Sequence, residues 1–157
     1  GCLFLPGREG LCETEFEKAP PFTLRNVEGE TIHLEDFSGK VIYLDFWGAW
    51  CPPCILETPH FISLYDTYRD QGFVVVGVSL GDSKRVLERY IEKMGVNYPI
   101  LVGDNKIVQE YKGIVFLPTA FLIDRNGFIR RKLFGYKDKE AIEEMILPLL
   151  EEKDETS

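Results

Sequence analysis

The sequence has few of the features that mark a membrane, nucleic-acid-binding or disulfide-rich protein. None of its apolar runs approaches the roughly 18–20 residues that a membrane-spanning helix needs. Its 26 acidic side chains outnumber the 18 basic ones, and the formal charge of −8 argues against binding of nucleic acid through phosphates. Four cysteines are too few for a disulfide scaffold. The 157 residues, 45% of them hydrophobic, fit one globular domain with a full core.

The hydrophobic pattern predicts strands that alternate with helices. The runs 41–46 and 73–79 are nearly continuously apolar, which is typical of strands buried on both faces. Helices are predicted over 52–69, from an N-cap at Asp82 to about Met94, over 105–111 and over about 138–150. A short strand is predicted at 98–102, and hairpins are predicted around 26–29 and 124–127. This order predicts an α/β sandwich with a mixed sheet over residues 18–151, between an irregular arm (1–17) and an acidic tail (152–157).

Cys51 and Cys54 are two residues apart at the predicted start of a helix. A structural zinc site needs four ligands, and neither the other two cysteines nor the two histidines stand at ligand spacing. A purely structural disulfide would add little stability, because the loop that it closes is tiny. A helix N-terminus instead stabilises a Cys51 thiolate, and Pro52 and Pro53 suit a first turn that needs no N–H donors. The pair is interpreted as a redox-active dithiol that uses neither a metal nor a cofactor.

Two carboxylates flank the dithiol in the sequence. Asp45 lies between apolar residues of a predicted strand, so we expect it to be buried, either as a satisfied core residue or as a proton acceptor for Cys54. Glu57 follows Cys54 by three residues and shares its helical face, either as a surface residue or beside the dithiol. On the residues alone, both alternatives stay open for each acid.

The run Phe46-Trp-Gly-Ala-Trp-Cys-Pro-Pro-Cys54 resembles the active site of the thioredoxin superfamily. With Ala19-Pro-Pro-Phe22, Gly39-Lys40, Gly77-Val-Ser79 and Leu117-Pro118-Thr119, the chain more narrowly resembles the TlpA/ResA/CcmG group of extracytoplasmic, membrane-tethered thiol–disulfide oxidoreductases, over about residues 18–150. The resemblance implies a thioredoxin-like three-layer sandwich with an added N-terminal β-hairpin and an insertion around residues 80–112.

The resemblance also implies roles for individual residues. It implies a cis Pro118 that faces the dithiol, and it makes both Asp45 and Glu57 candidates for deprotonating Cys54. ResA-type proteins often carry Asn in place of the strand Asp, whereas this chain carries both acids. Contacts with the substrate are expected from Trp50, Pro52, Pro53, Leu117, Pro118 and Thr119.

The implied activity is reduction of disulfides in partner proteins by a monomer outside the cytoplasm, in the periplasm or on the outer face of the membrane. The expected partners are apocytochrome c or a copper-delivery protein, with a membrane thiol donor of the DsbD/CcdA kind to regenerate the dithiol. One alternative is a peroxiredoxin, although no Thr stands three residues before Cys51. Another is a metal-carrying thiol protein without enzymatic activity.

Gly1-Cys2 has three open interpretations. Cys2 is the acylated cysteine of a lipoprotein and so a lipid tether, or it forms a disulfide with Cys12, or Gly1 is a remnant of cloning.

Overall fold

A mixed β-sheet forms the centre of the molecule. The computed structural model describes residues 2–3 and 13–155, with the strands β1 (Cys2–Leu3), β2 (Glu13–Thr14), β3 (Thr23–Asn26), β4 (Thr31–His33), β5 (Val41–Trp47), β6 (Phe73–Ser79), β7 (Ile100–Val102), β8 (Thr119–Ile123) and β9 (Ile129–Phe134). Seven of them form one sheet in the order β4-β3-β7-β6-β5-β8-β9, in which β5, β6 and β7 run parallel. The hairpin strands and β8 pair antiparallel with their neighbours.

Helices cover both faces of this sheet. They are α1 (Pro52–Tyr68), α2 (Lys84–Met94), α3 (Asn105–Glu110) and α4 (Lys139–Glu151). Side chains alternate between the two faces of a strand, so Tyr43 and Trp47 of β5 pack with α1, α2 and α4, whereas Leu44 and Phe46 pack with α3. The predicted three-layer sandwich with a mixed sheet is therefore confirmed. Asp45 has the same parity as Tyr43 and Trp47, which places it on the α1 side.

The predicted elements agree with the structure except at a few boundaries. Ser83, not Asp82, is the N-cap of α2: its hydroxyl accepts a hydrogen bond from Val86 N–H, so the prediction for Asp82 is wrong. The short strand begins at Ile100, and the interval between β6 and β8 contains α2, β7 and α3. Within the arm predicted to be irregular, β1 and β2 form a two-residue antiparallel pair.

The C-terminal tail packs against the β8–β9 hairpin. Glu152 accepts a hydrogen bond of 2.6 Å from Arg130, and the backbone N–H of Glu155 donates to Asn126 at 2.7 Å. In the part of the chain that the structure describes, no helix has both the length and the apolar character that crossing a bilayer requires.

Candidate active site

The dithiol lies where the central strand passes into the first helix. Cys51 is the N-cap residue of α1, with extended backbone (φ −103°, ψ 108°), and a disulfide joins it to Cys54 at a Cα–Cα distance of 5.3 Å. Both cysteines are buried in this oxidised state. Pro52 and Pro53 have no N–H group, so Cys54 is the first residue of α1 whose backbone can donate to a Cys51 thiolate. The sequence therefore predicted the position of the dithiol correctly.

Asp82 fixes the loop that leads into Cys51. One of its carboxylate oxygens, Oδ2, accepts hydrogen bonds from Ala49 N–H at 2.9 Å and from the Ser79 hydroxyl at 2.8 Å. Trp50 donates its indole N–H to the carbonyl of Leu80 at 3.0 Å, while 60% of its surface stays exposed. The segment after β6 thus holds the active-site loop, a role that the sequence did not suggest for Asp82.

The Leu117-Pro118 peptide bond is cis and lies beside the dithiol. The sulfur of Cys51 is 3.7 Å from the carbonyl oxygen of Leu117, so this backbone borders the reactive sulfur. The hydroxyl of Thr119 donates to Phe116 O at 2.7 Å, and its side chain is fully buried. Direct contact between the Thr119 side chain and a substrate is therefore not available; it stabilises the turn before β8 instead.

Asp45 and Glu57 are both buried and influence each other electrostatically. Only 1% of Glu57 is exposed, which excludes the alternative that it is a surface residue. Its Oε2 accepts the Lys137 N–H at 2.9 Å, while Glu57 Oε1 and Asp45 Oδ1 lack hydrogen-bond partners among residues 13–155. Burial raises the pKa of Glu57 to about 7, against an opposing effect of Lys137. Burial and then the neighbouring Glu57 raise the pKa of Asp45 well above its ordinary value.

Neutral hydroxyl and aromatic groups surround these two acids. Burial, followed by the negative charge of Asp45, raises the pKa of Tyr43 and of Tyr98, so both phenols stay protonated. Thr58 hydrogen-bonds to the Tyr90 hydroxyl at 2.7 Å, and the Tyr90 ring lies 5.0 Å from the Trp47 ring, centroid to centroid. These groups exclude water without supplying a positive charge, which is why the carboxyl pKa values rise.

Exposed apolar side chains border the site, and we call them the apolar rim: Trp50, Val115, Phe116, Phe134 and Tyr136. Val115 is 79% exposed and Phe116 50%, directly before the cis Leu117-Pro118 bond. The ring centroids of Phe116 and Phe134 are 5.8 Å apart, and Phe134 pairs with Thr119 in the sheet. Of the rim, the sequence predicted only Trp50.

Sequence reasoning also missed Lys137, which acts on Glu57 first through its backbone N–H and then through its positive charge. A main-chain donor leaves no signature in the sequence, and 80 positions separate it from Glu57. As to metals, no group of three or more His, Cys, Asp or Glu side chains that could hold an ion occurs within the described ranges.

Comparison with known proteins gives consistent results. Residues 16–132 match a model of the AhpC/TSA family. The thiol-disulfide oxidoreductase ResA of Geobacillus thermodenitrificans is 38% identical over 126 residues, which cover 80% of this chain and 72% of that protein.

Solved structures extend the similarity. A protein from Chlorobium tepidum assigned as the thiol:disulfide interchange protein DsbE superposes with a TM-score of 0.79 at 33% identity, over 87% of this chain and 98% of that one. A thioredoxin-family thiol:disulfide interchange protein from Chlorobium tepidum TLS gives a TM-score of 0.83 over 88% and 99% of the two chains, and at 24% identity it supports the fold alone.

Proposed function

The chain belongs to the AhpC/TSA family and is a thiol–disulfide oxidoreductase with a thioredoxin-like fold, and we propose that it reduces disulfides of partner proteins outside the cytoplasm. One observation carries the proposal: the Cys51–Cys54 disulfide lies at the N-terminal end of α1, and the next turn of α1 contains Glu57, a buried residue whose pKa is raised to about 7. A proton acceptor of this kind serves a dithiol that must be deprotonated near pH 7.

The proposed reaction begins with the reduced dithiol. The Cys51 thiolate attacks one sulfur of the partner disulfide, forms a mixed disulfide and displaces the second partner sulfur as a thiolate, which takes up a proton. The N-terminal end of α1, with the Cys54 N–H as its first donor, stabilises the negative charge on Cys51 before the attack. We propose that the partner binds along the Leu117 backbone, because the Leu117 carbonyl oxygen is 3.7 Å from the Cys51 sulfur.

Resolution requires that Cys54 lose its proton. Glu57, one turn further along α1, and Asp45, on the facing strand, are the proposed acceptors. The Cys54 thiolate then attacks the Cys51 sulfur and displaces the partner sulfur bonded to it as a thiolate, which takes up a proton. The partner has then gained two electrons and leaves as a dithiol, and the protein, which supplied them, keeps the Cys51–Cys54 disulfide seen in the structure. An external thiol donor must then restore the dithiol.

We further propose the identity of these partners. The TlpA/ResA/CcmG resemblance supports apocytochrome c or a copper-delivery protein as the substrate, and a membrane protein of the DsbD/CcdA kind as the donor. It also supports a location outside the cytoplasm, with Cys2 as a lipid tether. Cys12 and the side chain of Cys2 lie outside the described residues, so the tether and the Cys2–Cys12 disulfide both stay predictions.

Single cysteine variants test the proposed reaction. With insulin as a model disulfide substrate and dithiothreitol as the reductant, we expect Cys51→Ser to abolish catalysed reduction, because no nucleophile remains at the helix end. When the pre-reduced Cys54→Ser variant is mixed with insulin after dithiothreitol has been removed, we expect a mixed disulfide to accumulate and to survive gel electrophoresis without reductant. Catalysis by Cys51→Ser at the rate of the unmodified protein would contradict the assignment.

The same preparation separates the two alternative functions. Gly48 stands where a peroxiredoxin would carry its Thr, so we expect no peroxide consumption beyond that of free thiols. A metal carrier would retain stoichiometric copper or zinc after purification and would lack reductase activity. Peroxide consumption faster than that of free thiols would favour a peroxiredoxin, and metal retention without reductase activity would favour a metal carrier.

A further inference from the structure

The loop between β9 and α4, residues 135–138, contacts the active site at three points. Gly135 N–H donates to Pro118 O at 2.9 Å, behind the cis peptide bond. Lys137 N–H donates to Glu57 Oε2 at 2.9 Å, and the Tyr136 hydroxyl hydrogen-bonds to His60 Nε2 at 2.7 Å. One short loop therefore connects the cis-proline turn, the buried acid and helix α1.

Each end of this loop is fixed by a hydrogen bond of its own. Gly135 has a φ of +77°, a conformation that side chains rarely adopt, and its N–H is bonded to Pro118. Asp138 is the N-cap of α4 and accepts a hydrogen bond from Ala141 N–H at 2.8 Å. Between these anchors, Tyr136 is 41% exposed, and its hydroxyl bond joins the centre of the loop to a side chain of α1. The Lys137 ammonium group instead donates back to Phe134 O at 2.5 Å and to Gly135 O at 3.5 Å, so these two hydrogen bonds do not tie it to α1.

His60 lies one helical turn beyond Glu57 on the same face of α1. The contacts therefore close a ring that runs from Glu57 along α1 to His60, across to Tyr136, through one peptide bond to Lys137 N–H, and back to Glu57. Rings of this kind restrict motion, because no member can shift without breaking a hydrogen bond. His60 is half-buried within the ring.

We propose that Tyr136 is a positioning residue: through its bond to His60, it keeps the Lys137 N–H on the carboxylate of Glu57. The N–H stabilises the ionised form of Glu57, whose other oxygen lacks a partner among the residues described. Several ionisable groups face Glu57 or α1 from the elements around them: Asp45 and Tyr43 on β5, Tyr90 on α2, Tyr98 before β7, Tyr136 and Lys137 in the loop, His60 on α1 itself and Glu143 on α4, which binds Tyr68 at the far end of α1.

Tyr136→Phe tests the proposal, because it removes the hydroxyl and keeps the ring. We expect the pKa of Glu57 to rise by roughly half a unit to one unit, the equivalent of one weakened hydrogen bond to a carboxylate. The measurement is a ¹³C NMR titration of the Glu57 side-chain carboxyl in the oxidised protein, in which neither Cys51 nor Cys54 titrates. His60→Ala should give the same shift, and the double variant no more than either single one.

Tyr68→Phe is the matched control, since the Tyr68 hydroxyl also ties α1 to another element, donating to Glu143 on α4 at 2.6 Å. Loss of this bond should lower the melting temperature without moving the Glu57 pKa. An unchanged Glu57 pKa in Tyr136→Phe, or an equal shift in Tyr68→Phe, would overturn the proposal.

The catalytic relevance of the ring rests on the proposed function, but the titration does not. If Glu57 were not an acceptor for Cys54, Glu57→Gln would leave the Cys54 thiol pKa unchanged while the Tyr136→Phe shift persisted. The Glu57 pKa in Tyr136→Phe therefore tests the role of Tyr136, and the Cys54 pKa in Glu57→Gln separately tests the proposed proton transfer.

Discussion

At the scale of single residues, the unusual feature is an acid kept in the core without a full set of partners. Burial disfavours the charged carboxylate of Glu57 more strongly than Lys137 N–H stabilises it, so its pKa rises to about 7 from an ordinary value of 4.5. A group with a raised pKa in the folded state holds a proton that the unfolded chain has already released. Glu57 therefore reduces stability progressively as the pH rises from about 4.5 to 7, and by a constant amount above that.

We expect Glu57→Gln to flatten this dependence. Between pH 4.5 and 8 the free energy of unfolding of the unmodified protein should fall by up to about 3 kcal/mol more than that of the variant, at about 1.4 kcal/mol for each pKa unit. Urea denaturation of both oxidised proteins across this range measures the difference. Glu88→Gln, at an exposed position on α2, should leave the pH dependence unaltered. Parallel curves for the Glu57 variant and the unmodified protein would refute the raised pKa.

At the scale of secondary-structure elements, the active-site loop depends on the end of β6. Asp82 Oδ2 accepts two hydrogen bonds, so it couples the β5–α1 loop to the residues that follow β6. The strands β5 and β6 are parallel neighbours, so their carboxyl ends lie together at one edge of the sheet. The loop before Cys51 is held by an adjacent element and not by its own sequence alone.

Asp82→Ala should release this loop. We expect a loss of about 1–3 kcal/mol in the free energy of unfolding, because the Ser79 hydroxyl and Ala49 N–H lose their shared acceptor. Hydrogen exchange at the Ala49 amide should also accelerate at least tenfold, because about 1.4 kcal/mol of lost stabilisation makes the local opening of the loop about ten times more frequent. Asp104→Ala is the control: it removes the N-cap of α3, costs about 1 kcal/mol, and should leave the Ala49 amide protected. Equal exchange in the two variants would contradict the coupling.

The sequence predicted elements better than contacts between elements. The strands β5 and β6 follow from continuous apolar runs, and the β8–β9 hairpin follows from Asn126-Gly127. Asp82 and Ser83 are both good N-cap residues, so composition could not decide between them.

For the site, the resemblance supplied what the pattern of residues could not. It implied the cis peptide bond before Pro118, which the structure contains. The helix pattern could not establish that Glu57 is buried, nor that it accepts a hydrogen bond from Lys137, 80 positions away. Contacts between residues so far apart along the chain depend on tertiary packing, which a local sequence pattern does not predict.

At the scale of the whole molecule, the reactive edge combines a recessed disulfide with exposed apolar side chains. Cys51 is buried, whereas Val115 and Phe116 beside it are largely exposed. A partner disulfide that reaches Cys51 must therefore also contact the apolar rim. We expect the rim to favour extended protein segments over small disulfides, because only a polypeptide can cover it.

Phe116→Ser tests this contribution. We expect kcat/KM for insulin to fall about tenfold, the equivalent of about 1.4 kcal/mol of lost apolar contact, while the rate with a small aromatic disulfide stays unchanged. Leu147→Ser on α4, which is comparably exposed, should affect neither substrate. The rim would have no role in recognition if Phe116→Ser slowed both substrates equally or neither.

The contacts of the site join segments that are distant along the chain. Cys51 meets Leu117 across 66 positions, Ala49 meets Asp82 across 33, and Glu57 meets Lys137 across 80. The disulfide itself spans only three positions, so the two thiols can be oxidised even in an unfolded chain. Closing the longer loops costs entropy that only the completed sheet and core repay. During refolding, then, the disulfide can form in the unfolded chain. The contacts that set its reactivity require the β8–β9 hairpin and α4 to be in place.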